Sequence, residues 1–413
     1  MLPKTPAKGM RDFLPQEFAL RQEILTTIQK TYESYGFSRI ETPAVENISL
    51  LTSKQGGDNE KLIFKILKRG EKLENAGEGD LCDLGLRYDL TVPLARFYAN
   101  NVAQLPSVFK AMQIDNVWRA DRPQRGRFRQ FVQCDIDVIG EESNLAEIEL
   151  ILATSGALEK LGFHNITVRV SDRRLLLALA DFCGFSEDLR PALFIALDKL
   201  DKIGVVGVMQ EIEQIAPGKA ESFINLINRI MSADKPFEKC VKELGSALPS
   251  EVKQNLEEIL HVTNNCITNG KVVFDITLVR GMGYYTGTIY EISVDGLASS
   301  VAGGGRYDKM IGKIIGTDVP ACGFSIGFER ITLLLAERGV KLANNHGIAV
   351  LIAKNADKKE VLDVMQSCRH LREHNKVTVV RKIKNFGYQL KQLQDGGFDE
   401  IYEFRNGTLE QIK

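Results

Sequence analysis

Apolar residues recur at helical spacing over residues 17–35, where Phe18, Leu20, Ile24, Leu25, Ile28 and Tyr32 form one stripe. Gly36 ends that helix, and Phe37 to Pro43 reads as an extended segment stopped by proline. From 61 to 140 the pattern is mostly strand-like, with hairpin turns at Lys68-Arg69-Gly70 and Gln124-Arg125-Gly126. Residues 144–162 and most of 173–262 read as helical. Strands are predicted again at 271–293, 299–306 and 320–326, followed by a helix from Phe328 to Arg338. The polar run Lys341–His346 reads as a linker. Beyond it, Gly347–Ala353, Lys358–His374, Lys376–Val380, Tyr388–Gln394 and Glu400–Phe404 alternate strand, helix, strand, helix, strand, a small α/β unit.

Composition changes this picture little. With 413 residues and 44% hydrophobic content, the chain can build two or three domains with proper cores. Basic and acidic residues balance at 53 and 54, so no global field favours nucleic acid, although a local patch could still bind it. The seven cysteines are scattered without a Cys-x-x-Cys pair, which suggests reduced thiols in a cytoplasmic protein and neither a disulfide frame nor a metal site. No run approaches the ~20 apolar residues of a membrane span, so a soluble protein is expected.

Chemistry concentrates in five stretches. Leu278 to Gly287 and Ala302 to Asp308 set Arg280 beside Tyr284, Tyr285 and Tyr307, among glycines that let a ligand approach the backbone. A lone cation on a pleated surface needs an anion to face. Between Gln113 and Gly140, two strands flank a basic loop, and Arg127, Arg129, Phe131, Gln133, Asp135 and Asp137 share one parity. That face suits a ligand with phosphates at one end and a cationic group at the other. Leu86 to Arg96 places Arg87, Asp89 and Thr91 on one strand face, and Cys322 to Arg330 is a glycine-bearing strand turning into a helix. Arg330 in the first turn of that helix can meet a polyphosphate as a forked donor.

In order and spacing these stretches resemble the class II aminoacyl-tRNA synthetases. Tyr35 to Pro43 with Glu46 looks like motif 1 of that family, Arg119 to Asp137 like motif 2, and Gly323 to Arg330 like motif 3. The opening Lys8-Gly9-Met10-Arg11-Asp12, Leu86–Arg96 and the two tyrosine-bearing stretches resemble the histidine-specific branch. The resemblance implies an α+β fold: an antiparallel six-stranded catalytic sheet with flanking helices over residues 1–340, with a helical insertion at about 173–262. A shortened α/β anticodon-binding-like domain would occupy 346–413, and a homodimer would form partly through motif 1.

The implied activity is ligation of L-histidine to tRNA(His), by way of histidyl-adenylate made from ATP accompanied by magnesium. On this resemblance Arg119 and Arg280 are catalytic at the α-phosphate. Asp121, Arg127, Phe131 and Arg330 join Arg119 in binding ATP. Asp89, Thr91, Gln133, Asp137, Tyr284, Tyr285 and Tyr307 join Arg280 around histidine. No resident metal site is expected. Residues 1–163 contain no histidine, which leaves no imidazole base near motif 2.

Gly283 stands where the family usually has Asp, and the form around Asp89 resembles the eukaryotic and archaeal branch. The competing reading is a non-catalytic, synthetase-like regulatory subunit of ATP phosphoribosyltransferase. Such proteins typically lack the last domain and the Arg of the Arg-Gly-x-x-Tyr-Tyr stretch, and this chain has both.

Overall fold

The computed structural model describes residues 2–52, 61–77, 79–124, 126–279, 284–295, 300–340 and 347–412. They fall into two compact units, residues 1–11 with 25–334 and residues 12–24 with 335–413. Arg280 to Gly283, Arg125 and the run Lys341–His346 lie outside the described residues.

Up to the insertion, the first unit runs through α1 (Pro15–Ser34, shared with the second unit), β1 (Ser38–Arg39), β2 (Val45–Asn47), α2 (Ile48–Leu51), β3 (Lys65–Leu67), α3 (Glu71–Glu74), β4 (Cys82–Leu86), α4 (Thr91–Asn101), β5 (Phe109–Trp118), β6 (Gln130–Ile139), α5 (Leu145–Lys160) and β7 (Ile166–Asp172). Six helices follow: α6 (Arg173–Phe182), α7 (Arg190–Leu197), α8 (Leu200–Ile215), α9 (Ala220–Met231), α10 (Pro236–Leu244) and α11 (Ser250–Cys266). The unit closes with β8 (Gly270–Phe274), β9 (Thr288–Ser293), β10 (Ala302–Arg306), α12 (Lys309–Ile315), β11 (Ala321–Gly327) and most of α13 (Phe328–Glu337).

Its main sheet has the order β1-β5-β6-β11-β10-β9-β7-β8. The six strands from β5 to β7 pair antiparallel throughout, and β1 and β8 add a parallel strand at each edge. The predicted six-stranded antiparallel sheet is therefore the heart of an eight-stranded mixed one. A parallel pair needs a long crossover. The helices α6–α11 supply it between β7 and β8. One face of the sheet packs on α5, where buried Arg306 of β10 makes a bidentate ion pair with Glu147, both contacts at 2.7 Å. The opposite face carries polar side chains and small residues.

Three local readings need correction. Residues 87–101 are not strand: β4 ends at Leu86, and α4 starts at Thr91. The alternation of Leu90, Val92 and Leu94 imitates a strand, but Asp89 Oδ1 accepts from Val92 N at 3.1 Å and starts a helix. Pro93 sits in the first turn, where no donor is needed, and Val92, Leu94, Ala95 and Tyr98 are buried. Residues 275–279, read as strand, lie between β8 and β9 outside any strand. The strand β7, the short helix α12 and a three-stranded sheet of order β2-β4-β3 went unanticipated.

The second unit holds β12 (Gly347–Ile352), α14 (Lys358–His374), β13 (Lys376–Arg381), α15 (Phe386–Asp395), β14 (Phe398–Arg405) and β15 (Thr408–Gln411), in sheet order β13-β12-β14-β15. Strand β12 pairs parallel on both sides and is buried along its whole length, as a central strand covered on both faces must be. Ile348, Val350 and Ile352 meet Val364 and Cys368 of α14, while Ala349 and Leu351 pack with Leu390 and Leu393 of α15. Asp357 caps α14 by accepting from Glu360 N at 2.8 Å.

Candidate active site

A cavity of 470 Å³ opens on the polar face of the first unit's sheet. The register explains it. Across β6 and β11, Gln133 faces Gly327, Asp135 faces Ser325, and Asp137 faces Gly323. Long polar side chains on one strand therefore extend over small residues on the next. Beside β11, β10 adds Gly303 and Gly305 at the same parity. Two strands without bulk form the floor, and the loops above them form the walls.

One end of the cavity is acidic. Tyr307 Oη donates to Asp137 Oδ1 at 2.6 Å, and Gln133 Nε2 donates to Asp135 Oδ2 at 3.1 Å and to Ser325 Oγ at 3.3 Å. Burial pushes Asp135 up to about 7, against the opposing hydrogen bonds of Ser325 and Gln133. Burial also holds Asp137 well above the usual carboxylate range, helped by the charge of Asp135 and opposed by Tyr307. Asp89 is raised by burial as well, with the Val92 amide opposing. Three carboxylates with raised affinity for protons are suited to a cationic ligand. Tyr284 and Tyr285, rings 4.2 Å apart, line the same cavity.

The other end is basic. Arg119 Nε donates to Tyr88 O at 2.8 Å, and its Nη2 to Gln133 Oε1 at 3.3 Å. Its guanidinium carbon lies 5.2 Å from the Phe131 ring centroid. Arg127 Nε lies 3.5 Å from Asp121 Oδ2, and Arg330 Nη1 donates to Ser300 O at 2.5 Å. Glu329, also on the cavity wall, accepts from Val132 N at 3.2 Å. All the site residues expected from sequence line this cavity except Arg280, which lies outside the described residues.

Two neighbours grouped with them go elsewhere. Arg87 is buried beneath the site, donating to Thr42 O at 2.6 Å and Asn116 O at 2.9 Å and lying 3.3 Å from Asp115. Thr91 reaches the cavity from the first turn of α4 and not from a strand face. Arg129 turns away from the ligand face, because the β6 ladder begins only at Gln130 and strand parity does not extend into the loop. Asp135, Ser325 and Glu329 received no role from sequence, although parity already set Asp135 on the ligand face.

Comparison with known proteins fits this geometry. A family model described as histidyl-tRNA synthetase matches residues 9–331. A histidine–tRNA ligase of Leifsonia xyli is 49% identical over 346 residues, which is 81% of this chain and 80% of the relative. One from Aeropyrum pernix is 38% identical over 373 residues, covering 89% and 82%. A histidyl-tRNA synthetase crystal structure from Nostoc sp. PCC 7120 superposes with a TM-score of 0.81 at 26% identity, covering 100% of this chain and 97% of that one. A Bacillus halodurans structure described as an ATP phosphoribosyltransferase regulatory subunit/histidyl-tRNA synthetase has a TM-score of 0.75 at 20% identity over 98% of each chain, a likeness of fold alone.

Proposed function

The chain belongs to the histidyl-tRNA synthetase family, and from that premise we propose that its cavity joins L-histidine to ATP and then passes the histidyl group to tRNA(His). The observation that carries this reading is one cavity lined both by Arg119, Arg127 and Arg330 and by Asp89, Asp135 and Asp137. ATP would lie with its phosphates among the arginines and its adenine on Phe131, near Asp121. Histidine would present its ammonium and imidazole to Asp89, Gln133 and Asp137, with Thr91, Tyr284, Tyr285 and Tyr307 enclosing it.

In the first step a histidine carboxylate oxygen attacks the α-phosphorus, the bond to the bridging oxygen breaks, and pyrophosphate leaves. No proton moves, so positioning and charge neutralisation carry the catalysis. Arg119 would hold the α-phosphate beside the attacking carboxylate, with Arg280 from the other side. Arg127 and Arg330 would take the outer phosphates. In the second step a ribose hydroxyl at the end of the tRNA attacks the histidyl carbonyl carbon, AMP leaves, and the hydroxyl proton passes to an AMP phosphate oxygen.

Among the described residues there is no group of three His, Cys, Asp or Glu side chains suited to a metal. Magnesium would arrive with ATP, since such ions are ordinarily held by one or two carboxylates plus phosphates. Glu329 would hold it, and the ion would neutralise phosphate charge. The reading extends to residues 1–340 as the catalytic domain, to 346–413 as an anticodon-binding domain, and to a cytoplasmic homodimer built partly through α1 and β1. Among the described residues no helix is long and apolar enough to cross a membrane.

Histidine-dependent exchange of labelled pyrophosphate into ATP tests the proposal. Exchange that needs histidine and no other amino acid supports it. Absence of exchange by the folded protein favours the regulatory-subunit reading and ends this one.

A further inference from the structure

The loop between β5 and β6 is held from two sides. Towards the cavity it presents Asp121, Arg127 and Phe128. Its other side is covered by the N-terminal segment. Arg129 N donates to Gly9 O at 2.8 Å, and Arg129 Nη1 to Lys8 O at 3.3 Å. Met10 N closes a turn on Ala7 O at 2.9 Å, and the Arg11 guanidinium lies 5.5 Å from the Phe128 ring centroid.

Arg129 also reaches into the loop. Its Nε donates to Asp121 O at 3.1 Å, and the Asp121 carboxylate lies 3.5 Å from Arg127 Nε. A connected series thus runs from Gly9 through Arg129 and Asp121 to Arg127 at the cavity. Gly9 has φ +85°, and a Cβ there would come within 2.8 Å of Arg129 Cγ and Cδ and 2.9 Å of Pro123 Cγ. A side chain at this position would be strained by its backbone and would push Arg129 off the loop.

We infer that the segment Lys8–Arg11 is a positioning device for ATP: through Arg129 it fixes the backbone of Asp121, whose carboxylate aims Arg127. The inference rests on the reading that Arg127 faces the ATP phosphates. Arg127 is 52% exposed on a long side chain, so holding it in place before ATP arrives removes an ordering cost from binding. Gly9 and Arg129 do not line the cavity; they are positioning residues.

The sole tryptophan, Trp118, gives this loop its own reporter, because its Nε1 donates to Gln130 Oε1 at 3.3 Å at the loop's root. In full-length protein, Arg129→Gln and Gly9→Ala should each raise the KM for ATP about tenfold in pyrophosphate exchange while that for histidine stays within about twofold. ATP titrated against Trp118 fluorescence should shift its midpoint by the same factor. The double variant should be no worse than Arg129→Gln alone, as one shared pathway requires. Equal rises in both KM values, or unchanged ATP midpoints, overturn the inference. Arg127→Gln separates it from the underlying reading. If that variant leaves the ATP KM unchanged, the assignment of Arg127 fails and the inference with it. If it raises the ATP KM while the outer variants do not, only the inference falls. Where Gly9→Ala lowers the melting temperature, Arg129→Lys decides: partial recovery of the ATP KM relative to Arg129→Gln supports positioning, and none refutes it.

Discussion

The Tyr307 hydroxyl donates to Oδ1 of Asp137 at 2.6 Å, and both side chains are buried. Asp137 belongs to β6 and Tyr307 follows β10, so the bond crosses the intervening β11 above Gly323. The tyrosine is held far above its ordinary titration range by burial and by the neighbouring carboxylate, so it acts as a fixed donor. One oxygen of Asp137 is thereby engaged.

Removing that donor should strand a buried carboxylate, at a cost of roughly 1–3 kcal/mol. Tyr307→Phe should raise the KM for histidine about tenfold in pyrophosphate exchange, and Asp137→Ala more, with the ATP constant changing much less. Equal effects on both substrates would show that this pair serves another part of the cavity.

Asp135 should make histidine binding depend on pH. Its folded-state value of about 7 lies above the ordinary 3.8, so its stabilising contribution is fully present below about pH 4 and is lost as pH rises through about 7. Asp89, Asp137, Arg119, Gln133 and Ser325 are the charged and hydrogen-bonding groups around it. A cationic ligand prefers the ionised form, so histidine affinity measured by calorimetry should rise between pH 6 and 8. Asp135→Asn should flatten that rise and, at pH 8, raise the melting temperature, since it removes the cost of keeping a buried carboxylate ionised. A variant as steep as the parent, and no more stable, would contradict the assignment.

Arg119 is anchored by Tyr88 O and Gln133, so its direction is set before substrate arrives. Loss of one preorganised donor at a developing charge costs about a hundred- to a thousandfold in rate. Arg119→Gln should slow single-turnover adenylate formation by that factor, and a near-normal rate would remove it from the reaction. The same experiment with Arg280→His tests the partner expected on the opposite side of the α-phosphate.

Arg122 is exposed on the loop that Arg119 and Arg129 close, and Arg125 follows it in sequence. Phosphate contacts from this loop would give salt-sensitive affinity for RNA on a chain of net charge −1. Replacing Arg122 and Arg125 together with Ala should slow transfer to tRNA and weaken its salt dependence while leaving pyrophosphate exchange nearly intact. A parallel fall in both activities would place these arginines with ATP instead.

Much of this was legible in the sequence. The period of 3.6 marked α1, α5 and α14, and the period of 2 in Phe131, Gln133, Asp135 and Asp137 laid out the acidic wall. Periodicity failed where a local hydrogen bond outweighed it. The Asp89 cap made a helix of residues 91–101, and Leu90, Val92 and Leu94 alone gave no sign of it. It failed again at Arg129, because parity holds only while a ladder does, and the partner that turns Arg129 aside lies about 120 residues earlier in the chain. The opposition of Asp137 and Gly323 depends on pairing strands 186 residues apart, which spacing in one sequence does not encode.

That opposition also bears on how the enzyme's choice of amino acid could be redesigned. A Cβ built on Gly323 would overlap Oδ1 of Asp137, so the two positions feed one point in space from adjacent strands. Only one of them can carry a side chain at a time. Emptying position 137 opens the same point to a residue at 323, entering from β11 at a different angle and with a different reach. A library that randomises position 137 alone explores only the pocket shapes reached from β6. One that exchanges occupancy between the two strands, keeping one of them glycine, explores the rest without overfilling the floor.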